Sequence, residues 1–272
     1  MYPHPNALQT KLANDAVLTG LYIQTPSVDC VEIAAAAGFD YVIIDEEHGS
    51  FGFSDTVHLI RAAEASQICP IVRVAENNAS QIRKVIEAGA LGVFVPNIES
   101  AAQARAAVSA AKYLYDGNGG SKGACPTNRA ARSLGRDWER YVKWSNDNVM
   151  VTLAVESQAG LAQLDEILAV PGIDSVALGR FDLAHEMGLY GKRYGGEIEE
   201  IFEGFIAKAD AARVRWMARL SSLDHEAAQV QRTALVARGA RLFTLGSDRQ
   251  LLDRVFRQVL RPMGVETTEG AA

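Results

Sequence analysis

Short β-branched apolar runs alternate with longer Ala-rich stretches from one end of the chain to the other. The runs cover residues 20–24, 41–44, 71–74, 92–95, 149–155, 175–178, 215–220 and 241–245. Most are apolar at nearly every position, the pattern of parallel strands covered on both faces. The intervening stretches, 28–37, 54–66, 80–88, 100–112, 158–169, 198–211, 223–237 and 248–260, have helical character. Several open on Ser or Asp, which cap the free N–H groups of a first turn, and two close at Gly38 and Gly89. Eight strand–helix units within 272 residues predict a closed α/β architecture, the (β/α)8 TIM barrel, as a single domain over 1–272. An open doubly wound sheet is the alternative arrangement of the same units.

Two segments break the rhythm. Residues 113–136 form a long loop with Gly117, Gly119, Gly120, Gly123 and Gly135, followed by a short helix around 138–144, and 185–196 is irregular. Both follow strands, so both belong to the face of a barrel where active sites form.

Composition narrows the function. The net charge of −6 argues against phosphate-backbone binding, so no nucleic-acid partner is expected. Apolar stretches such as 41–44 and 91–95 are too short to cross a bilayer, and 1–18 lacks the basic-then-apolar pattern of a signal peptide. Cys30, Cys69 and Cys125 are widely spaced with no CxxC pair, which reads as reduced thiols in a cytoplasmic protein.

Charged residues directly after the strands are the candidates for chemistry. Strand two ends in Asp45-Glu46-Glu47-His48, strand three at Arg73, strand five at Glu156 and strand six in Gly179-Arg180-Phe181-Asp182. Glu156 and Asp182 are either a pair of ligands for a hard divalent cation, or partners of Arg73 or Arg180 in structural ion pairs. His48 is a general base, a ligand or a surface residue. Arg73 holds a carboxylate or a developing enolate, or closes a rim salt bridge. Lys122 and Arg129 in the Gly-rich loop contact an anionic substrate or simply solvate the loop, and Cys125 has no evident activating partner. No lysine falls within a strand, so Schiff-base chemistry lacks its residue. Carbonyl chemistry in this barrel would therefore use a metal as electron sink.

The run Gly38-Phe39-Asp40-Tyr41-Val42-Ile43-Ile44-Asp45-Glu46-Glu47-His48-Gly49 resembles the strand-two signature of the HpcH/HpaI family of metal-dependent 2-oxo acid aldolases. The resemblance continues in order through Ile71-Val72-Arg73-Val74, Glu87-Ala88-Gly89-Ala90, Val95-Pro96, Val155-Glu156-Ser157, 170–174, Asp182-Leu183 and Leu245-Gly246-Ser247-Asp248. It implies a pyruvate-binding TIM barrel that cleaves a 4-hydroxy-2-oxo acid to pyruvate and an aldehyde. It also implies Glu156 and Asp182 as ligands of Mg, Mn or Co, Arg73 at the enolate, and His48 in proton transfer with Glu87 in support. Gly179, Arg180, Phe181 and Lys122 stand where the family meets its substrate. Arg180-Phe181 replaces a usual Gly-Pro, Ala154 a usual Gln and Glu46 a usual Gly, all bearing on substrate choice. A condensing enzyme of the same scaffold, citrate synthase-like or citrate-lyase-like, or a non-catalytic barrel, are the competing readings. The resemblance further implies a homo-oligomer, in the family a hexamer, with the helix over 248–260 packed on a neighbour.

Overall fold

Eight parallel strands pair in chain order and the last closes on the first. They are β1 (Leu18–Ile23), β2 (Tyr41–Asp45), β3 (Cys69–Arg73), β4 (Gly92–Val95), β5 (Met150–Val155), β6 (Ser175–Leu178), β7 (Arg215–Arg219) and β8 (Leu242–Ser247). The computed structural model describes residues 5–263 apart from 191, 193 and 223. All eight expected strands are present, with ends displaced by a few residues, and the barrel alternative to the open sheet is the one adopted.

The near-continuous apolar strands build two separate cores. Because side chains alternate across a strand, Tyr41, Ile43, Cys69, Ile71, Phe94, Met150, Ala154, Met217 and Leu242 pack together inside the barrel. Their neighbours Val42, Ile44, Val72, Val93, Leu153, Val176, Trp216 and Phe243 face outward against the helices. The interior is filled. Tyr41 is fully buried, its hydroxyl donates to the Phe243 carbonyl at 2.7 Å, and its ring occupies the space beside Gly20.

The helices are α1 (Ala7–Ala13), α2 (Val28–Ala36), α3 (Phe53–Ala65), α4 (Ala79–Ala88), α5 (Ala101–Ala111), α6 (Trp138–Asn148), α7 (Gln158–Ala162), α8 (Leu164–Leu168), α9 (Arg180–Glu186), α10 (Gly196–Ala211), α11 (His225–Ala237) and α12 (Asp248–Leu260). Gly38 and Gly89 adopt positive φ where α2 and α4 stop, as their positions required. Four features depart from expectation. The stretch 158–169 is two short helices meeting at Gln163. The helix after the long loop extends to Asn148. The segment after strand six coils at once into α9. Finally, α1 places Leu8 and Leu12 with the inward-facing strand residues, while its buried cap Asn6 donates to the carbonyls of Leu91 and Asn148. It thereby covers the N-terminal end of the barrel. The expected start 223 of the next helix is outside the described residues, and α11 begins at His225.

A Cβ on Gly20 would lie 2.1 Å from the Tyr41 ring. Gly20→Ala should therefore cost roughly 1–3 kcal/mol through overpacking, read as a lower urea midpoint with an unchanged m-value. A midpoint equal to that of the parent would show that the interior can give way at this layer.

Candidate active site

Continuing the inward alternation past the core leads to the mouth. Two residues after Ile43 comes Asp45, after Ile71 comes Arg73, after Ala154 comes Glu156 and after Met217 comes Arg219. Each strand thus places its next inward side chain on the C-terminal opening, where they converge.

Asp45 and Arg73 are register partners on β2 and β3. Arg73 Nε donates to Asp45 Oδ1 at 2.8 Å and its terminal nitrogen to Oδ2 at 2.6 Å, a bidentate pair. Gln24 Nε2 adds a bond of 2.9 Å to Asp45 Oδ2, and the N–H groups of Glu47 and His48 point to Oδ1. Burial opposes ionisation of this fully enclosed carboxyl, but the Arg73 bonds and charge prevail and hold it below the usual range. Burial also disfavours the Arg73 cation, and the bonds to Asp45 again outweigh it, so the guanidinium stays charged. Its face lies over the Tyr22 ring at 4.9 Å.

Opposite it stand carboxylates without such support. Glu156 is buried and accepts one bond, from the Asn97 N–H at 2.8 Å. Burial raises its pKa, the Asn97 bond lowers it in part, and the charges of Glu47 and Asp182 raise it further. Asn97 delivers that N–H from a left-handed conformation, φ 55°, rare for a residue with a side chain. Gly179 leaves room on the other side, because a Cβ there would lie 2.3 Å from Glu156 Oε2. Asp182 is exposed in the first turn of α9. Glu47 Oε2 is buried 2.9 Å from Arg73 Nη1, yet it is out of line for any hydrogen bond. Burial, followed by Asp45 and Asp182, raises its pKa against the pull of Arg73.

This donor set fits a hard cation. It offers oxygen ligands, an orphaned carboxylate oxygen and mutual repulsion that a cation would relieve. Among the described residues no three His, Cys, Asp or Glu side chains converge into a complete cage. Glu156 and Asp182 would thus share a cation with water and substrate oxygens, as an open catalytic site does.

The cleft between these groups, ≈ 710 Å³ counted to its open mouth, is lined by Tyr22, Arg73, Ala154, Glu156, Gly179 and Asp182 among others. Arg180 and Phe181 also line it, but the Arg180 charge turns away. Its guanidinium pairs with Glu199 on α10 at 2.8 Å and stacks 3.6 Å over Phe202. Phe181 is exposed at the rim, and His48 is more than half exposed with Glu47 3.8 Å away.

The strand ends of this barrel thus present an immobilised arginine beside two carboxylates whose oxygens suit a hard cation. Residues 18–254 match the HpcH/HpaI aldolase/citrate lyase family, and the chain belongs to it. It is accordingly an enzyme of the carbon–carbon lyase class. A 2-dehydro-3,6-dideoxy-6-sulfogluconate aldolase of Pseudomonas putida is 35% identical over 192 residues, 71% of this chain and 73% of that one. A hydroxypyruvate/pyruvate aldolase of Paraburkholderia phytofirmans is 31% identical over 262 residues, 94% of this chain and 96% of the relative. Among solved structures, a HpcH/HpaI aldolase/citrate lyase family protein from Burkholderia cenocepacia superposes with a TM-score of 0.85 at 29% identity, covering 96% of this chain and all of that one. The citrate synthase SbnG gives 0.83 at 26%, covering 94% and 96%.

The structure does not bring Lys122 and Glu87 to this mouth. Lys122 is buried, with its amine 4.0 Å from the centre of the Tyr113 ring and donating to Ser145 Oγ at 3.1 Å. Glu87, on α4, pairs with Arg83 at 3.0 Å and has no contact with His48 within the chain. The expected support of His48 by Glu87 and the expected substrate contact of Lys122 are therefore not made in one chain. Arg129 pairs with Glu64. Sequence reading passed over Tyr22, Gln24, Asn97 and Arg219 altogether, and gave Asp45 and Glu47 no separate role. Inward alternation would have singled out Asp45 and Arg219, whereas the backbone twist at Asn97 has no sequence signal.

Burial lowers the Lys122 pKa to about 7, with Glu87 opposing and Lys112 adding to the fall. An unfolded lysine keeps its proton until about pH 10.4. Between about pH 7 and that value the unfolded chain binds the extra proton, so this residue makes stability rise with pH across the window. Below it the cost is present in full. Lys122→Met should stabilise the protein at pH 7 by roughly 1–4 kcal/mol and flatten that rise. Urea midpoints between pH 6.5 and 9.5 check this, and equal pH slopes in the two proteins would reject it.

Proposed function

We propose that the protein is a divalent-metal-dependent aldolase that reversibly cleaves a 4-hydroxy-2-oxo acid to pyruvate, or a close 2-oxo acid, and an aldehyde. The observation that carries this reading is the convergence of Arg73, locked by Asp45, with the Glu156 and Asp182 carboxylates at one barrel mouth. A Mg, Mn or Co ion held by Glu156 and Asp182 would supply the Lewis acid that draws electron density toward the ketone oxygen. Arg73 places a fixed positive charge where the enolate oxygen becomes negative, and it needs no reorganisation to do so. His48, at the open side of the cleft, takes the C4 hydroxyl proton through water. As the C3–C4 bond breaks, its electron pair stays with C3, the aldehyde leaves, and C3 then gains a proton to give the 2-oxo acid. Gly179 keeps the floor beside Glu156 free of side-chain bulk, and Phe181 narrows the rim.

The likeness to a citrate synthase supports a second reading, in which the same enolate attacks another electrophile. We also infer a homo-oligomer, because α12 leaves Leu252, Val255, Phe256 and Val259 exposed along one face.

Incubated with pyruvate and Mg²⁺ or Mn²⁺ in D₂O, the protein should exchange the C3 protons of pyruvate. Glu156→Ala or chelation should lower the rate at least about a hundredfold. Absence of exchange with pyruvate and other small 2-oxo acids, with metal bound, would sink both enolate readings, and a panel of acceptors then separates cleavage from condensation.

A further inference from the structure

One cation at the mouth has no part in the chemistry above. Arg219 ends β7 two residues after Met217, which packs inside the barrel, so alternation aims Arg219 at the axis. It lines both lobes of the cleft with Tyr22, Arg73, Phe181 and Asp182. The other arginines there are committed, Arg73 to Asp45 and Glu47, Arg180 to Glu199. Arg219 instead donates to a neutral group, Gln250 Oε1 at 3.2 Å, and among the described residues no carboxylate lies within 4.0 Å of it. The Gln250 oxygen is itself fixed, because it accepts the Ser247 N–H in the capping box of α12. A guanidinium has five donors, so an exposed, positioned face remains for a ligand.

The two lobes differ in their contents. The deeper one holds Glu156, Ala154 and Phe94, and the outer one holds His48, Gln24, Ser247 and Gln250. The proton that His48 takes belongs to the hydroxyl on the carbon that becomes the aldehyde. The aldehyde half therefore occupies the outer lobe, with Arg219 at its wall.

We propose that Arg219 binds an anionic terminus, carboxylate or phosphate, on the aldehyde half, and so selects acidic aldehydes as co-substrates. This rests on the aldolase reading and extends it to the other half of the substrate. In the condensation direction with pyruvate and Mg²⁺, succinic semialdehyde is compared with its uncharged methyl ester, and glyceraldehyde 3-phosphate with glyceraldehyde. The charged member of at least one pair should have the higher kcat/KM, by about tenfold to a hundredfold. Which pair shows the larger ratio tells carboxylate from phosphate. Arg219→Gln should bring the ratio close to one by slowing the charged aldehyde alone, and Arg219→Lys should keep part of it. No preference for charge in the parent, or an equal preference in Arg219→Gln, overturns the proposal. Pyruvate C3 exchange in the parent is read separately: its loss takes the aldolase reading down as well, whereas its persistence with no charge preference removes the Arg219 role only.

Discussion

Everything at the barrel mouth is arranged around a carboxylate that could not remain charged without its arginine. Asp45 has no exposure to water, and an isolated ion in that position would neutralise or force the structure open. Arg73 meets it from the neighbouring strand with two parallel N–H bonds, in the same register layer. The pair therefore sets the orientation of the guanidinium through the sheet itself. Its remaining edge points toward Glu47 and its face rests on Tyr22, so it has little freedom left to lose when a substrate arrives.

The same commitment ties up most of the Arg73 charge that faces the other carboxylates. Arg73 already answers Asp45, while burial first, and then the charges of Glu47 and Asp182, raise the proton affinity of Glu156. A single Asn97 N–H is modest compensation for a buried glutamate. The chain also accepts an uncommon backbone conformation at Asn97 and an absent side chain at Gly179 to keep Glu156 where it is. Such local departures from the most comfortable geometry gather where function needs them.

The barrel was legible because its evidence is distributed: eight apolar runs separated by capped helical stretches leave few ways to close. Glu156, Asp182 and Arg73 were legible because a charge directly after a buried strand calls for a reason. Arg180 shows the limit of that logic. Its place beside Asp182 is correct, yet Glu199 and Phe202, which claim its charge, come from a helix begun sixteen residues later, and nothing local announces them. Lys122 is drawn from the mouth for the same reason, since Ser145 and Tyr113 are brought to it by packing, whereas Glu87 is held by Arg83 one turn earlier on its own helix, a spacing visible in the sequence. Helix α1 was missed because a seven-residue segment gains its stability from the barrel end it covers, and its own periodicity is too short to register.

Tyr41 and α1 also have a bearing on traffic. With the tyrosine ring filling the middle of the barrel and the helix closing its far end, the cleft is a blind alley with one doorway. The space beside Glu156 and the space beside His48 and Arg219 open through that same doorway. The single doorway is thus owed to a phenol at the opposite end of the strand that carries Asp45, a residue away from the chemistry it confines.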